Sequence, residues 1–291
     1  MSQLAPQNEP VSVPRGAYPM IRITSEFFLR GIDLMTRVQN DKLISGLIFM
    51  ALWHDRMGAT EDGPVGVREL ARKLRLPYET VRRHAAALVA AGQCVATPDG
   101  IAVRASVLRR QANVDILHRI YLDAERMLVE LTRAGLAKFQ PPRARAQGRA
   151  PLTREQTVIA TAATGQLLAG ARLVGDLWNG DLLRGLVYTA IWTANVKHVT
   201  NTTPAIPQAV LADEQRLPVS ILAISSSLRL PYETVRRHAN GLLKDGICIR
   251  AARGGLVVPA STHLKLTGST IEVHRIVTGV LAELRRAGVR V

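Results

Sequence analysis

A twelve-residue segment occurs twice in this chain, and its repetition limits the folds that the chain can adopt. The sequence LRLPYETVRRHA stands at residues 74–85 and again, without a change, at residues 228–239. Weaker likeness continues outside it, as between DKLISGLIFMALW at 41–53 and GDLLRGLVYTAIW at 180–192. Self-similarity over such a span indicates a tandem duplication. We therefore predict two related domains, at residues 21–138 and 153–291.

Three segments lie outside the shared pattern. Residues 1–20 are polar and Pro-rich and predict a disordered tail. Residues 139–152, FQPPRARAQGRAPL, predict an exposed basic linker. Its Arg143, Arg145 and Arg149 either keep it soluble, or contact phosphates or enter a minor groove of DNA. Residues 197–215 of the second unit have no counterpart in the first and predict a long loop.

Both units show the same order of predicted elements. In the first, Ser25 caps a helix that runs to about Val38, and a second helix starts near Asp41. The later elements are a short helix at 68–74, a helix at 77–90, a hairpin at 93–105 and a closing helix at 113–138. The second unit repeats this order with helices near 154–178, 181–197, 220–228, 231–244 and 269–287 and a hairpin at 247–258.

A short helix, a tight turn, a helix and a two-stranded hairpin form the winged helix-turn-helix order. The stretches PYETVRRHAAALVAAG at 77–92 and PYETVRRHANGLLKDG at 231–246 resemble the recognition helix of bacterial winged helix-turn-helix regulators of the GntR, MarR and IclR kind. Those families carry a Thr-Val-Arg core followed by a Leu and a closing Gly. The resemblance covers about 50 residues per unit. It implies a mainly α fold of two tandem winged helix-turn-helix domains, each with a small β-hairpin wing and flanking long helices.

The charge balance points to a polyanionic partner. The chain carries 38 Lys and Arg against 23 Asp and Glu, a net charge of +15. Residues 1–150 hold 22 basic and 14 acidic groups, and residues 151–291 hold 16 and 9, so both halves share the excess. Nucleic acid is the partner that such a distribution favours.

The repeated helix divides into an inner and an outer side. Val81, Ala85 and Leu88 fall on the buried side. The outward residues include two arginines, and an arginine can bond the O6 and N7 of guanine in the major groove. Glu79 either accepts from cytosine or holds Arg83 at i+4. His84, at the edge of this face, is either a packing residue or a DNA contact.

The two copies agree at twelve of twelve positions in this block but at only two of ten just before it, at residues 64–73 and 218–227. A requirement of the core alone would leave the outward residues free to differ, so both copies are expected to face the same target. The predicted DNA-binding residues are Tyr78, Glu79, Thr80, Arg82, Arg83, Tyr232, Glu233, Thr234, Arg236 and Arg237, with Arg72, Lys73, Arg75, Arg229 and Arg253 beside them.

Other chemistry has little support in the sequence. The seven histidines and two cysteines show no metal-ligand spacing, and no phosphate-binding loop or nucleophile motif is present. Cys94 and Cys248 are expected to be small buried residues. The apolar run Val158–Ala171 stops at Arg172 and predicts a buried helix rather than a membrane span. We expect no catalytic residue, no metal and no cofactor.

Together these features predict a cytoplasmic, nucleoid-associated protein that binds double-stranded DNA at specific sequences and regulates transcription. It would act as a single-chain pseudo-dimer with two recognition helices. RNA polymerase is a further candidate partner, and monomer or homodimer, and inverted or direct half-sites, stay open. The alternatives are a plasmid-type replication initiator with tandem winged helices and an adaptor that uses the same helix on a protein surface.

Overall fold

The computed structural model describes residues 12–40, 42–58, 63–108, 110–142, 151–202, 209–252 and 254–291. The described residues are mainly helical, with twelve α-helices and two small antiparallel hairpins. The prediction of a mainly α fold is confirmed.

The two halves have the same order of elements, so the duplication covers the whole fold. The first half consists of α1 (Ala17–Val38), α2 (Leu43–Gly58), α3 (Val67–Leu74), α4 (Tyr78–Ala90), β1 (Cys94–Thr97), β2 (Gly100–Val103), α5 (Ala105–Leu108) and α6 (Gln111–Arg133). The second half consists of α7 (Arg154–Leu177), α8 (Leu182–Thr202), a 3₁₀ turn (Asp213–Gln215), α9 (Ile221–Leu228), α10 (Tyr232–Lys244), β3 (Ile249–Arg250), β4 (Leu256–Val257), α11 (Ala260–Lys265) and α12 (Thr267–Arg286).

Local signals explain several of these boundaries. Thr153 and Gln156 form a reciprocal capping box at the start of α7. Gly92 and Gly246, with φ of +66° and +69°, follow α4 and α10, where a left-handed residue ends a helix most easily. Thr97 pairs with Gly100 in the first hairpin, so Pro98 and Asp99 form the tip of the hairpin that the sequence predicted at 93–105.

The start of the first helix was predicted wrongly. Helix α1 begins at Ala17, and Ser25 lies inside it, buried, with its hydroxyl donating to the Arg22 carbonyl at 3.1 Å. Residues 17–20 therefore belong to α1 rather than to a tail, and Ala17 and Met20 are buried in the core. Residues 1–11 and Asp41 lie outside the described residues.

The predicted linker and insertion also differ in part from the structure. Phe139 is buried, and the Gln140 N–H donates to the Arg290 carbonyl at 3.4 Å, so the start of the linker packs on the fold. Residues 143–150, with their three arginines, lie outside the described residues. Helix α8 continues to Thr202 into the predicted loop, of which residues 203–208 are not described.

The contacts between the halves are reciprocal. Helix α1 packs on α8 and α12 of the second half, and its counterpart α7 packs on α2 and α6 of the first. Likewise α3 contacts α7, and α9 contacts α1. Contacts that are preserved when two units exchange places are the signature of a two-fold rotation. The halves are thus related by a pseudo-two-fold axis and share one hydrophobic core.

Two glycines show this symmetry at the level of single residues. Gly31 of α1 lies against Leu167 of α7, and Gly170 of α7 lies against Phe28 of α1. Asn40 and Asn179, left-handed residues after α1 and α7, put the two helices in register, so Gly31 corresponds to Gly170 and Phe28 to Leu167. Only glycine allows the two helices to approach this closely.

Helix α7 is the apolar helix that the sequence singled out. By length and composition it is the one described helix that could cross a membrane, and 61% of its apolar window is buried inside the fold. It packs against α6 and α12 from opposite halves. The prediction of a buried helix is confirmed.

His263 is a buried histidine whose environment opposes protonation. It is 3% exposed, accepts a hydrogen bond from the indole N–H of Trp192 at its Nδ1 (3.3 Å), and pairs through Nε2 with the Thr270 hydroxyl at 3.2 Å. Burial, and then the charges of Arg216 and Arg22, lower the pKa of His263 to about 4. The folded protein therefore keeps this ring neutral at neutral pH.

This environment predicts a pH-dependent stability. Because the folded pKa lies below the unfolded value near 6.5, the unfolded state takes up the proton first, so stability is complete above pH 6.5 and falls as the pH drops toward 4. Between pH 7 and pH 5 we expect His263 to contribute a loss of about 2 kcal/mol in the free energy of unfolding. Urea unfolding of the protein and of His263→Gln at both pH values measures it, and equal losses in the two proteins would refute the assignment.

Candidate nucleic-acid interface

The repeated helices are fixed to the fold by their inner sides. Val81, Ala85 and Leu88 of α4 are at most 2% exposed and pack toward α2 and α3. The equivalent residues of α10, Val235, Ala239 and Leu242, are fully buried. The predicted inner side is confirmed in both copies, and the rotation of each helix about its axis is therefore set by the core.

This rotation turns the same side chains outward in both copies. We call Tyr78, Glu79, Arg82 and Arg83 the α4 face, and Tyr232, Glu233, Arg236 and Arg237 the α10 face. All eight residues are exposed, and each tyrosine is 45% exposed. Two chemically identical faces, each with two arginines, thus lie on the surface at positions related by the pseudo-two-fold axis. Thr80 and Thr234 are half-buried beside them.

Within each face a glutamate orients one arginine. Glu79 accepts from Arg82 Nε at 2.8 Å and from Nη2 at 2.6 Å, and Glu233 accepts from Arg236 Nε at 2.8 Å. The hydrogen bond and charge of each arginine lower the pKa of its glutamate, so the pair stays ionised. The proposed partner Arg83 at i+4 was wrong, because the carboxylate turns to the i+3 residue.

The second arginine of each face is free. Arg83 and Arg237 are exposed and form no ion pair or hydrogen bond with the described residues. Each face therefore offers one arginine held in a fixed orientation and one that can adjust to a partner.

Arg75 and Arg229 lie at the turns before α4 and α10 and reach to the opposite half. Both have a left-handed backbone, with φ of 54° and 52°, which is uncommon for a residue other than glycine or asparagine. Arg75 Nε lies 3.4 Å from Asp176 of α7, and Arg229 Nε lies 2.8 Å from Asp33 of α1. These reciprocal ion pairs tie each repeated helix to the other half. Sequence reasoning missed Asp33 and Asp176, because nothing in the local pattern indicates partners so distant in the chain.

The remaining predicted residues have different surroundings. Lys73 is paired with Asp55 at 2.9 Å and with Glu69 at 3.2 Å, whereas Arg72 is exposed. His84 is half-buried and shares a hydrogen bond with the Ser45 hydroxyl at 2.9 Å, which is a packing role. Arg253, at the tip of the second hairpin, lies outside the described residues.

The two faces differ in what supports them. Arg68 of α3 lies over the ring of Tyr78, 5.6 Å from its centroid. The equivalent residue of α9 is Leu222, which is 65% exposed. The first copy therefore carries an additional positive charge beside its tyrosine, and the second an exposed apolar side chain.

Metal chemistry finds no support in the part of the chain that the structure describes. No group of three or more His, Cys, Asp or Glu side chains there could hold a metal ion. Cys94 and Cys248 are buried, as predicted, and burial raises the pKa of their thiols to about 11 and about 12.

In comparisons with known proteins, no protein-family model, no curated protein and no solved structure matches this chain.

Proposed function

We propose that this protein binds double-stranded DNA at specific sequences and regulates transcription by occupying its site, where it blocks or recruits RNA polymerase. Each half would act as a winged helix-turn-helix unit, with α4 or α10 as the recognition helix and the following hairpin as the wing. The observation that carries the proposal is the presence of two identical, exposed, arginine-bearing helix faces in one basic chain. Recognition helices present such side chains to base edges in the major groove.

The orientation of Arg82 leaves its guanidinium free to bond a guanine base. Glu79 occupies the Nε and Nη2 side of Arg82, which leaves the end of the guanidinium, with Nη1 and one proton of Nη2, free to donate. That end can bond guanine O6 and N7 together. The unpaired Arg83 and Arg237 are suited to phosphate or base contacts. Glutamate orientation thus prepares one arginine per face before DNA arrives.

The pseudo-two-fold axis favours one arrangement of the DNA half-sites. Dimeric helix-turn-helix proteins recognise palindromes because protein and DNA share a two-fold axis. The reciprocal contacts of α1 with α12 and of α7 with α6 give this single chain the same symmetry. We therefore propose an inverted repeat rather than a direct one. The unequal surroundings of Tyr78 and Tyr232 would make one half-site bind more tightly.

Selection from random duplex DNA, followed by fluorescence anisotropy on the selected sequence, tests this function. We expect an inverted repeat, and we expect reversal of one half-site into a direct repeat to weaken binding at least about 10-fold, since one recognition helix then loses its base contacts. The logarithm of the binding constant should also fall steeply with the logarithm of salt concentration. Failure to enrich any sequence, together with a flat salt dependence, would favour the protein adaptor instead.

A further inference from the structure

An apolar cavity lies where the two halves meet. It is enclosed by α1 of the first half and by α7, α8 and α12 of the second, and its volume is about 100 Å³. Phe27, Phe28, Trp178, Tyr188 and Trp192 supply aromatic side chains to its walls. Leu177, which also lines it, is 40% exposed, so the cavity reaches the surface there.

The cavity breaks the pseudo-two-fold symmetry. The space that corresponds to it in the first half, lined by Met35, Phe49 and Met50 among others, measures only about 10 Å³, the volume of a single water molecule at most. The register set by Asn40 and Asn179 places Val174 where the first half has Met35, and Thr189 where it has Met50. The enlarged space thus results from side chains of the second half and not from the way duplicated helices pack.

One wall of this cavity carries a polar side chain at a position where the first half has an aromatic one. Gln166 lines it at the position that corresponds to Phe27, and it is 6% exposed. Its amide nitrogen donates to the sulfur of Met127 at 3.4 Å, and its Oε1 has no hydrogen-bond partner among the described residues. A buried acceptor without a partner is costly and occurs where something else supplies the donor.

The hydroxyl groups around the cavity also favour a ligand that donates a hydrogen bond. Thr24, Ser25, Thr189 and Ser269 each donate their proton to a backbone carbonyl of their own chain segment, at 2.7–3.1 Å. Because their protons are used in this way, their oxygen atoms can only accept a hydrogen bond from a bound molecule. None of the described lining residues is charged at neutral pH, because burial lowers the pKa of His263 to about 4.

We infer that this cavity binds a small neutral aromatic molecule with one hydroxyl group, which donates to Gln166 Oε1. An apolar cavity of about 150 Å³ binds benzene. The present cavity is smaller, about 100 Å³, but it opens to the surface at Leu177, so a single six-membered ring is the largest group that we expect it to hold. The aromatic walls suit the ring, and the unpaired oxygen suits the hydroxyl. This inference does not rest on the proposed function, since a ligand here is tested without DNA.

Phenol and toluene, which have the same shape and differ in the hydrogen-bonding group, test the inference by calorimetry and ligand-observed NMR on the full chain. We expect phenol to bind about 3- to 10-fold more tightly than toluene, the value of one hydrogen bond. Gln166→Leu should remove this preference while toluene still binds. Thr189→Met, which copies the buried Met50 of the first half, should abolish binding of both compounds.

Each result bears on the inference. No binding of either compound to the unmodified protein, or equal binding of both, would overturn it. A preference for phenol that survives Gln166→Leu would exclude Gln166 as the acceptor, and binding that survives Thr189→Met would place the compound elsewhere. Circular dichroism and thermal melting establish that each variant is folded, and the two variants change different helices, so failure of one leaves the other decisive.

Discussion

Replacing Arg82 and Arg83 together by alanine is expected to weaken binding to the selected DNA site by about 10- to 100-fold, because one bidentate contact to guanine contributes about 1–3 kcal/mol. The equivalent pair, Arg236→Ala with Arg237→Ala, should have an effect of the same order. All four side chains are exposed, so the free energy of unfolding should change little. Anisotropy titrations with the selected duplex and with an unrelated duplex measure specific and non-specific binding separately.

A matched control separates base recognition from loss of charge. Arg275 and Arg286 are exposed arginines on α12, and replacing both by alanine removes the same net charge away from the two faces. We expect this control to change specific and non-specific affinity alike and only slightly. If both face variants bind the selected site as tightly as the control does, then α4 and α10 are not the recognition helices.

Substitution of Glu79 tests whether the ion pair that orients Arg82 contributes to base recognition. Glu79→Gln leaves the side chain its size but replaces an ionised acceptor by an amide, which weakens the pair that orients Arg82. Removing a negative charge from the face should raise non-specific affinity, while discrimination against the wrong base should fall as the guanidinium loses its fixed orientation. The rise in non-specific affinity and the fall in base discrimination have opposite signs, and one titration series measures both.

The repeated segment was sufficient to predict most of what is local. Helix α4, its inner side and the hairpin that follows it were predicted from spacing and from glycine and proline positions, and these were confirmed. The boundaries that failed are those where tertiary packing overrides a local signal. In the sequence Ser25 resembles a helix cap, but it is buried inside α1. The helix begins earlier because the segment 17–24 also packs against apolar side chains in the core.

What the sequence could not predict is how the halves meet. The pairs Arg75–Asp176 and Arg229–Asp33 join residues from opposite halves, and no periodicity within a segment encodes them. Arg22 also joins the halves through a contact that no local pattern indicates. Its buried guanidinium donates to the Ala209 carbonyl of the second half at 3.1 Å. The apolar composition of α7 indicated a buried helix but not its partners. The cavity could not be predicted because the sequence aligns Met50 with Thr189 but does not show that these positions face the space between packed helices.

The contact between the halves predicts a second large effect, on stability. A Cβ atom at Gly31 would lie 2.3 Å and 2.7 Å from the two methyl carbons of Leu167, far inside van der Waals distance. Leu167 is 1% exposed and borders the cavity between the halves, so its two methyl groups would have to leave their contact with α1 to make room. Gly31→Ala should therefore lower the free energy of unfolding by about 1–3 kcal/mol through overpacking, although alanine is by itself the better helix former.

Gly279→Ala is the matched control for this change. Gly279 lies in the interior of α12, is exposed, and a Cβ there would meet no atom within 4 Å. The same substitution should raise the free energy of unfolding by up to about 1 kcal/mol, because alanine loses less conformational entropy than glycine in a helix. Urea titrations monitored by circular dichroism give both values. Because the α1–α7 crossing is one of the contacts that hold the two halves together, Gly31→Ala should also weaken binding to the inverted repeat, and the control should not. If both substitutions stabilise the protein equally, then α1 and α7 are farther apart than the structure has them, and the pseudo-two-fold contact at their crossing is wrong.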